Sequence, residues 1–225
     1  MKTMELFSGT CSFSKVAKSK GHSIFCIDKF EGLGQLHLKT DLETWNPQSE
    51  FNNYDFVWAS PPCTTFSVAS LGHHWTGGKT AYIPKTEKCK QGIRILENTI
   101  KIIAQTKPKY WVIENPRGVM RKVINALFEK YGLTNITHNT ITYCSYGDTR
   151  MKPTDLWCNF DWNTKPICKN YKYDLEGQII HKHCHHESAR RGAKTGTQGL
   201  KGNKERSVIP PKLFEELFNI IKEDK

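Results

Sequence analysis

Tyr54-Asp55-Phe56-Val57-Trp58-Ala59-Ser60-Pro61-Pro62-Cys63 decides the fold of this 225-residue chain. The first six residues are dominated by strand-forming types, and the diproline behind them cannot carry on a strand's hydrogen-bond ladder. A strand therefore runs into a stiff loop that presents a cysteine. The same alternation repeats outward from it. Upstream, Thr3 to Phe7 reads as a strand, Ser12 to Lys20 as a helix capped by Ser12, and Ser23 to Asp28 as a second strand ending on an acid. Downstream, Lys90 to Gln105 places Ile93, Leu96, Ile100 and Ile103 near helical spacing. Lys109 to Glu114 is a further strand, stopped by Asn115-Pro116, and Met120 to Tyr131 is the next helix. Strands and helices in this order predict an open, mostly parallel α/β sheet.

Composition bounds the rest. Hydrophobic residues make up 37% of the chain and charged residues 24%, which suits a soluble globular protein with a real core. No apolar run of about 18 residues is present, so no membrane span is expected. The N-terminus reads directly into a strand without a secretory segment. Eight cysteines are dispersed along the chain, a pattern that fits free thiols in a reducing cytoplasm better than a disulfide scaffold. Lys plus Arg number 33 against 22 Asp plus Glu, a formal net charge of +11, which favours a polyanionic partner, nucleic acid before membrane.

Beyond about Tyr143 the pattern changes to Cys, His, Lys, Gly and Asn with little periodicity. The expected organisation is a catalytic domain over 1–155, a small irregular basic lobe over 156–206, and a closing segment over 207–225 that completes the first domain. Phe214, Leu217, Phe218 and Ile221 give that last segment one apolar helical face.

In open α/β sheets, ligands bind beyond the carboxyl ends of the strands. Four segments fall there. Phe7-Ser8-Gly9-Thr10-Cys11-Ser12 is a turn of small residues, either a cofactor cradle or the tight connection every such fold needs. Asp28 can accept hydrogen bonds from ribose hydroxyls, or be a solvated loop acid; Asp41 is a similar candidate for an adenine amino group. Cys63 after two prolines is either an activated nucleophile or a structural thiol. Glu114 ends a hydrophobic strand, where burial would raise its pKa and let it donate to a ring nitrogen.

Taken in order, these segments resemble the C5-cytosine DNA methyltransferase family. Glu5-Leu6-Phe7-Ser8-Gly9-Thr10 is similar to its Asp-Leu-Phe-x-Gly motif, Pro61-Pro62-Cys63 to its Pro-Cys motif, and Glu114-Asn115-Pro116 to its Glu-Asn-Val/Pro motif. Arg206-Ser207-Val208-Ile209-Pro210 with the closing helix resembles the last motif. The likeness covers roughly 3–155 and 204–222. It departs at Cys11, where the family has glycine, and at Thr149-Arg150-Met151-Lys152, which stands where the family has Gln-x-Arg-x-Arg. Fewer than the usual residues are available for target recognition.

The resemblance implies a Rossmann-like class I methyltransferase fold and a methyl donor, S-adenosylmethionine, held by residues 7–12, Asp28, Asp41 and Pro61. It implies that Cys63 adds to C6 of a cytosine flipped out of double-stranded DNA. Glu114 would hold N3, and Arg150 is the residue mapped to O2. Separately, Arg190, Arg191, Lys194, Lys201, Lys204 and Arg206, interleaved with glycines, suit phosphate tracking. Cys168, Cys184, His183 and His185 are candidate ligands for a structural zinc in a lobe with a thin core. The expected enzyme is a monomer in the cytoplasm of a bacterial or phage-infected cell. Rival readings are an N4-cytosine or N6-adenine amino-methyltransferase, whose Pro-Pro-Tyr loops Ser60-Pro61-Pro62 resembles, a catalytically silent zinc-containing DNA-binding protein, and an RNA-modifying enzyme.

Overall fold

The computed structural model describes residues 1–32, 34–77, 81–168, 171–173, 179–182 and 202–223, with the side chains of 171–173, 179–182, 203–204 and 223 left aside. The strands of the main sheet are β1 (Lys2–Leu6), β2 (Ser23–Asp28), β3 (Leu38–Lys39), β4 (Phe56–Ala59), β7 (Tyr110–Pro116), β8 (Thr137–Thr142) and β9 (Pro153–Cys158). Trp75–Thr76 (β5) pairs with Ile83–Pro84 (β6), and Tyr171–Tyr173 (β10) with Ile179–Lys182 (β11), in two separate hairpins. The helices are α1 (Ser12–Ser19), α2 (Leu71–His74), α3 (Glu87–Thr106), α4 (Met120–Lys130), α5 (Asn203–Ser207) and α6 (Pro211–Glu223). Among the described residues, no helix is long and apolar enough to cross a membrane.

The seven-stranded sheet runs β3-β2-β1-β4-β7-β9-β8. Its pairs are parallel except those made by β9, which is antiparallel to both neighbours. The connection from β8 to β9 is short, and a short link can only join antiparallel strands. Strand order reverses between β1 and β4, which opens a crevice at their carboxyl ends.

Period-two alternation sorts the side chains into two cores. Val57, Ala59, Trp111 and Ile113 face Leu96, Ile100, Ile103, Ile124 and Phe128 of α3 and α4. Phe56, Trp58, Tyr110 and Val112 face α1 and α6. All four residues of β4 are buried, as expected for a parallel strand covered on both faces. Phe13 of α1 contacts the rings of Phe56, Trp58, Phe214 and Phe218. The closing helix thus lies on the first helix and on the sheet, and its apolar face is the one the spacing predicts.

Three expectations need adjustment. Ser12 is the first residue of α1 and not its cap. Cys11 takes the cap position in left-handed backbone (φ 51) without a side-chain cap bond. The buried Glu5 carboxylate instead accepts the amides of Phe13 and Ser14, at 3.4 and 2.9 Å, and so satisfies the orphan donors of the first turn. Second, β8 and β9 belong to the sheet, which continues past residue 155 to Cys158. Asn159 then bonds both Trp111 N and Lys109 O. The Thr-His-Asn-Thr sequence of β8 carries no apolar alternation, and β9 opens on a proline, so neither gives a strand signal. Third, α3 starts at Glu87 because the Thr86 hydroxyl caps Cys89 N.

Candidate active site

The loop after β4 and the end of β7 are fastened together before any reacting group is placed. Asn115 Nδ2 donates to Pro61 O at 2.8 Å. Val119 N donates to Phe66 O at 2.8 Å, and Ser67 forms an isolated bridge with Gly118. A side chain on Gly118 would collide with the Phe66 carbonyl, so glycine is what allows the two loops to touch. Pro61 is buried, and Cys63 beyond it is exposed.

Around Cys63 the charged groups come from three other stretches. Although the residue opens to solvent, protein packed about its thiol pushes the pKa up. The neighbouring Glu114 carboxylate adds to that rise, while Lys152 and Arg206 oppose it. Lys152 is itself pushed down by burial, against the pull of Glu114 and of Cys63. Glu114 and Lys152 thus both lie within electrostatic reach of the Cys63 thiol. The proton affinities of the thiolate and of the amine are moved towards each other.

Glu114 is buried and accepts a 2.9 Å hydrogen bond from the Tyr143 hydroxyl. Burial and the same carboxylate hold Tyr143 well above the usual tyrosine range, so it remains a donor. The Lys152 ammonium lies 4.5 Å over the Tyr143 ring and donates to Arg206 O at 3.1 Å. Asn115 Oδ1, beside Glu114 in sequence, is buried without a hydrogen-bond partner among the described residues.

Arg150, the residue mapped to the base, is committed elsewhere. Nε and Nη2 bind the Asp148 carboxylate, Nη1 binds Glu205 O and Arg206 O, and Nη2 also binds Val208 O. Five N–H donors meet five acceptors, which exhausts a guanidinium. Arg150 therefore straps the C-terminal segment onto the β8–β9 connection, and Lys152 is the cation beside the thiol. Tyr143 and Lys152 are the two site residues that motif reading missed. Lys152 had a signal, because it is the second cation of a segment in which the family also has two.

At the other end of the crevice, Phe7, Gly9 and Cys11 all adopt positive φ (61, 28 and 51). This coils Phe7-Ser8-Gly9-Thr10-Cys11-Ser12 tightly past the end of β1. Asp28 Oδ2 accepts Gly9 N at 2.9 Å, and Asp28 Oδ1 accepts Phe30 N at 3.0 Å. Each oxygen keeps a lone pair for a hydroxyl. Asp41 pairs with Lys29 at 2.5 Å, which holds its carboxyl below the usual range, and also accepts Glu43 N. Thr10 and Ser12 bond each other through their hydroxyls, and Ser12 Oγ accepts Ile209 N at 3.2 Å, which ties the turn to the chain's closing segment. A coiled small-residue turn, two carboxylates with spare acceptor capacity and an orphaned buried amide oxygen fit a ligand rich in hydroxyl and amino donors, as an adenosine carrying an amino acid is.

The remaining candidates fall largely elsewhere. Arg190, Arg191, Lys194, Lys201, His183, Cys184 and His185 lie outside the described residues, as does the side chain of Lys204. Arg206 Nε donates to Gly202 O at 3.3 Å, and the guanidinium lies near enough to Cys63 to lower its pKa. Cys168 is buried, with its amide on Thr142 Oγ1 at 3.0 Å.

Residues 1–147 match the family model described as "C-5 cytosine-specific DNA methylase". A viral protein named "Probable DNA (cytosine-5)-methyltransferase", from Frog virus 3 (isolate Goorha), is 29% identical over 229 aligned residues, 98% of this chain and 100% of the viral one. Among solved structures, the Entamoeba histolytica methyltransferase EhMeth superposes with a TM-score of 0.53 at 16% identity, over 73% of this chain and 55% of its own. A prophage-encoded protein of E. coli described as a DNA modification methyltransferase superposes with a TM-score of 0.51 at 16% identity, over 70% and 46% of the two chains. The chain thus spans about half the length of these solved structures and shares their Rossmann-like methyltransferase fold.

Proposed function

The chain belongs to the C-5 cytosine-specific DNA methylase family, and from that premise we propose that it transfers a methyl group from S-adenosylmethionine to carbon 5 of cytosine in DNA, with Cys63 as the nucleophile. The observation that carries the assignment of Cys63 is that its loop is fastened to the strand end bearing Glu114, by Asn115 Nδ2 on Pro61 O at 2.8 Å and Val119 N on Phe66 O at 2.8 Å, with Glu114 and Lys152 in electrostatic reach of the thiol.

The Phe7–Ser12 turn, Asp28, Asp41 and Pro61 would hold S-adenosylmethionine. When bound, it supplies an electrophilic methyl group. The protein's part is to make C5 of the base a nucleophile. Cys63 adds as thiolate to C6, and the electron pair moves towards C5 and N3. Glu114, steadied by Tyr143, would meet N3 carrying a proton taken up as the base binds, and so donate where that charge develops, which is where electrostatic help lowers a barrier most. Lys152, as an ammonium, would balance the thiolate before addition, the thiol proton leaving to solvent. After transfer, the C5 proton departs, the C6–S bond breaks, and Cys63 returns to its starting state. The target carbon lies inside a duplex stack, so the base must be flipped out, at a few kcal/mol. The basic residues from Arg190 to Arg206 would offset that through phosphate contacts. The same proposal has the enzyme act as a monomer, in the compartment that holds its DNA.

The amino-methyltransferase and silent-module readings lose ground to family membership, and Cys63 stands where an amino-methyltransferase needs a stacking aromatic. The decisive test is incubation with S-adenosylmethionine and DNA containing 5-fluorocytosine, which blocks proton loss from C5. The expected result is a denaturant-stable protein–DNA adduct, lost in Cys63→Ala. Methyl transfer without any adduct would overturn the covalent route, and transfer to RNA alone would overturn the substrate.

A further inference from the structure

Beneath the Phe7–Ser12 turn, Cys11, Cys26 and Glu5 place their reactive atoms within 4.8 Å of one another, all three residues buried. Cys11 belongs to the turn itself, in backbone that glycine favours. A cysteine held there at a steric penalty, in contact with a second thiol, calls for an explanation. Cys26 sits on β2 two residues before Asp28, and its thiol also reaches Ser14 Oγ at 3.1 Å. Both oxygens of Glu5 are occupied by the α1 amides, so the two sulfurs are the free chemistry of the cluster.

We propose that Cys11 and Cys26 are a reversible oxidation site, a dithiol that closes to a disulfide under hydroperoxide and thereby disables the cofactor turn. The two thiols are inequivalent: the hydrogen bond from Cys26 lowers the pKa of Cys11, and the same bond together with burial raises that of Cys26. One sulfur is thus prepared to attack and the other to resolve. The outer side of Cys11 is covered by Gly34 and Gln35, both exposed, with Cys11 Sγ 3.7 Å from Gln35 O. A peroxide molecule little larger than water has a thin layer to pass.

The chemistry balances. Cys11 thiolate takes one oxygen from the hydroperoxide as its O–O bond breaks, giving a sulfenic acid and, from hydrogen peroxide, water once a proton is taken up. Cys26 then attacks that sulfur and releases a second water. The sum is two thiols plus hydrogen peroxide giving one disulfide plus two waters. Closing the sulfurs to about 2.05 Å requires Cys11 to move towards β2. The turn it belongs to is fixed by Gly9 N on Asp28 Oδ2 at 2.9 Å and by Ser12 Oγ on Ile209 N at 3.2 Å, so it cannot follow without losing shape. The formation of the disulfide is independent of the proposed function; its effect on the cofactor rests on that proposal.

The test uses full-length protein carrying Cys63→Ala, which removes the one exposed thiol among the described residues. Hydrogen peroxide is added, and a tryptic digest is mapped without reduction. The expected product joins the peptide of residues 3–15 to that of residues 21–29, and dithiothreitol reverses it. Calorimetry with S-adenosylmethionine should show at least a tenfold loss of affinity on oxidation, recovered on reduction and absent in Cys26→Ser, which keeps a hydroxyl for Ser14. Cys26→Ala provides the same control should the serine variant fold poorly, and Cys11→Gly should lose the cross-link. Recovery of both peptides unlinked, with Cys11 oxidised beyond the sulfenic state, overturns the proposal, as does an equal loss of affinity in both Cys26 variants. A cross-link in reduced-competent protein that never binds S-adenosylmethionine would leave the oxidation site standing and remove the cofactor assignment instead.

Discussion

The two ends of the crevice are built in opposite ways. At the β1 end, Phe7 to Ser12 is one continuous turn held mainly through its backbone amides: Ser8 N binds Ile27 O at 3.1 Å, Cys11 N binds Ser8 O, and Gly9 N binds Asp28. At the β4–β7 end, Cys63, Glu114, Tyr143 and Lys152 arrive from three stretches of chain, with Arg206 from a fourth, and side chains hold them in place. A continuous turn carries its role in its local sequence. A distributed centre assigns roles by geometry, and neighbouring residues of the same charge can receive different ones. Arg150 and Lys152, two positions apart, are the clearest case: one is consumed by structure, the other lies within electrostatic reach of the Cys63 thiol.

Breaking the structural half of that pair should have the largest effect. Arg150→Ala leaves the half-buried Asp148 without its cation, in a pair whose other member is buried, and frees three carbonyls of residues 205, 206 and 208. Loss of one partner of a buried pair destabilises by about 3–5 kcal/mol, which urea unfolding would read. Methyl transfer per folded molecule should stay within roughly tenfold. A variant that is fully stable but inactive would return Arg150 to the reacting site and dissolve the distinction. Lys152→Met sharpens it from the other side, because it keeps a long apolar stem and removes only the charge. Turnover measured with radiolabelled donor should fall about 10²- to 10³-fold, the size expected for one preorganised charge at a developing centre, with melting temperature nearly unchanged. A fall below threefold would exclude Lys152 from the chemistry.

What could be read in advance follows the same division. The parallel half of the sheet was legible because buried strands such as Phe56–Ala59 and Tyr110–Glu114 are apolar throughout and end on proline or acid. The edge formed by β8 and β9 was not, since an edge strand half open to solvent can be built from Thr, His and Asn. In the site, Cys63 and Glu114 stand at strand ends inside short motifs, so position alone marked them. Tyr143 lies in a 3-10 turn with no motif, and its role appears only when its hydroxyl is seen on Glu114. Arg150 is the residue that the motif resemblance singles out in Thr149-Arg150-Met151-Lys152, and its five satisfied donors are visible only in the fold.

Tyr143→Phe tests how rigid the distributed centre is. It removes the donor that Tyr143 gives Glu114 Oε1 inside a buried setting, and leaving a buried acceptor unpaired costs about 1–3 kcal/mol. Turnover should drop by roughly tenfold with little change in KM for DNA, since Glu114 stays in place and loses its orientation. Donor affinity measured by calorimetry should be untouched, because the turn at the other end shares no bond with Tyr143. A matching loss of donor affinity would mean that the two ends are one mechanical unit.

The smallest expected effect is the displacement of a titration curve, and it bears most directly on whether the recess is shared. Burial and Glu114 raise the Cys63 thiol, and Lys152 and Arg206 lower it. An anion beside a thiol disfavours the thiolate and a cation favours it. Glu114→Gln, which preserves size and an acceptor for Tyr143, should therefore move the alkylation midpoint of Cys63 to lower pH. Lys152→Met should move it to higher pH. The rate is followed with iodoacetamide on the Cys63 peptide by mass spectrometry, because the other seven cysteines would blur a bulk thiol assay. In the double variant the two displacements oppose, and the midpoint should lie between those of the single variants. Two shifts of the same sign would mean that these substitutions act by loosening the loop around Cys63, and that Glu114 and Lys152 do not meet the thiol through their charges.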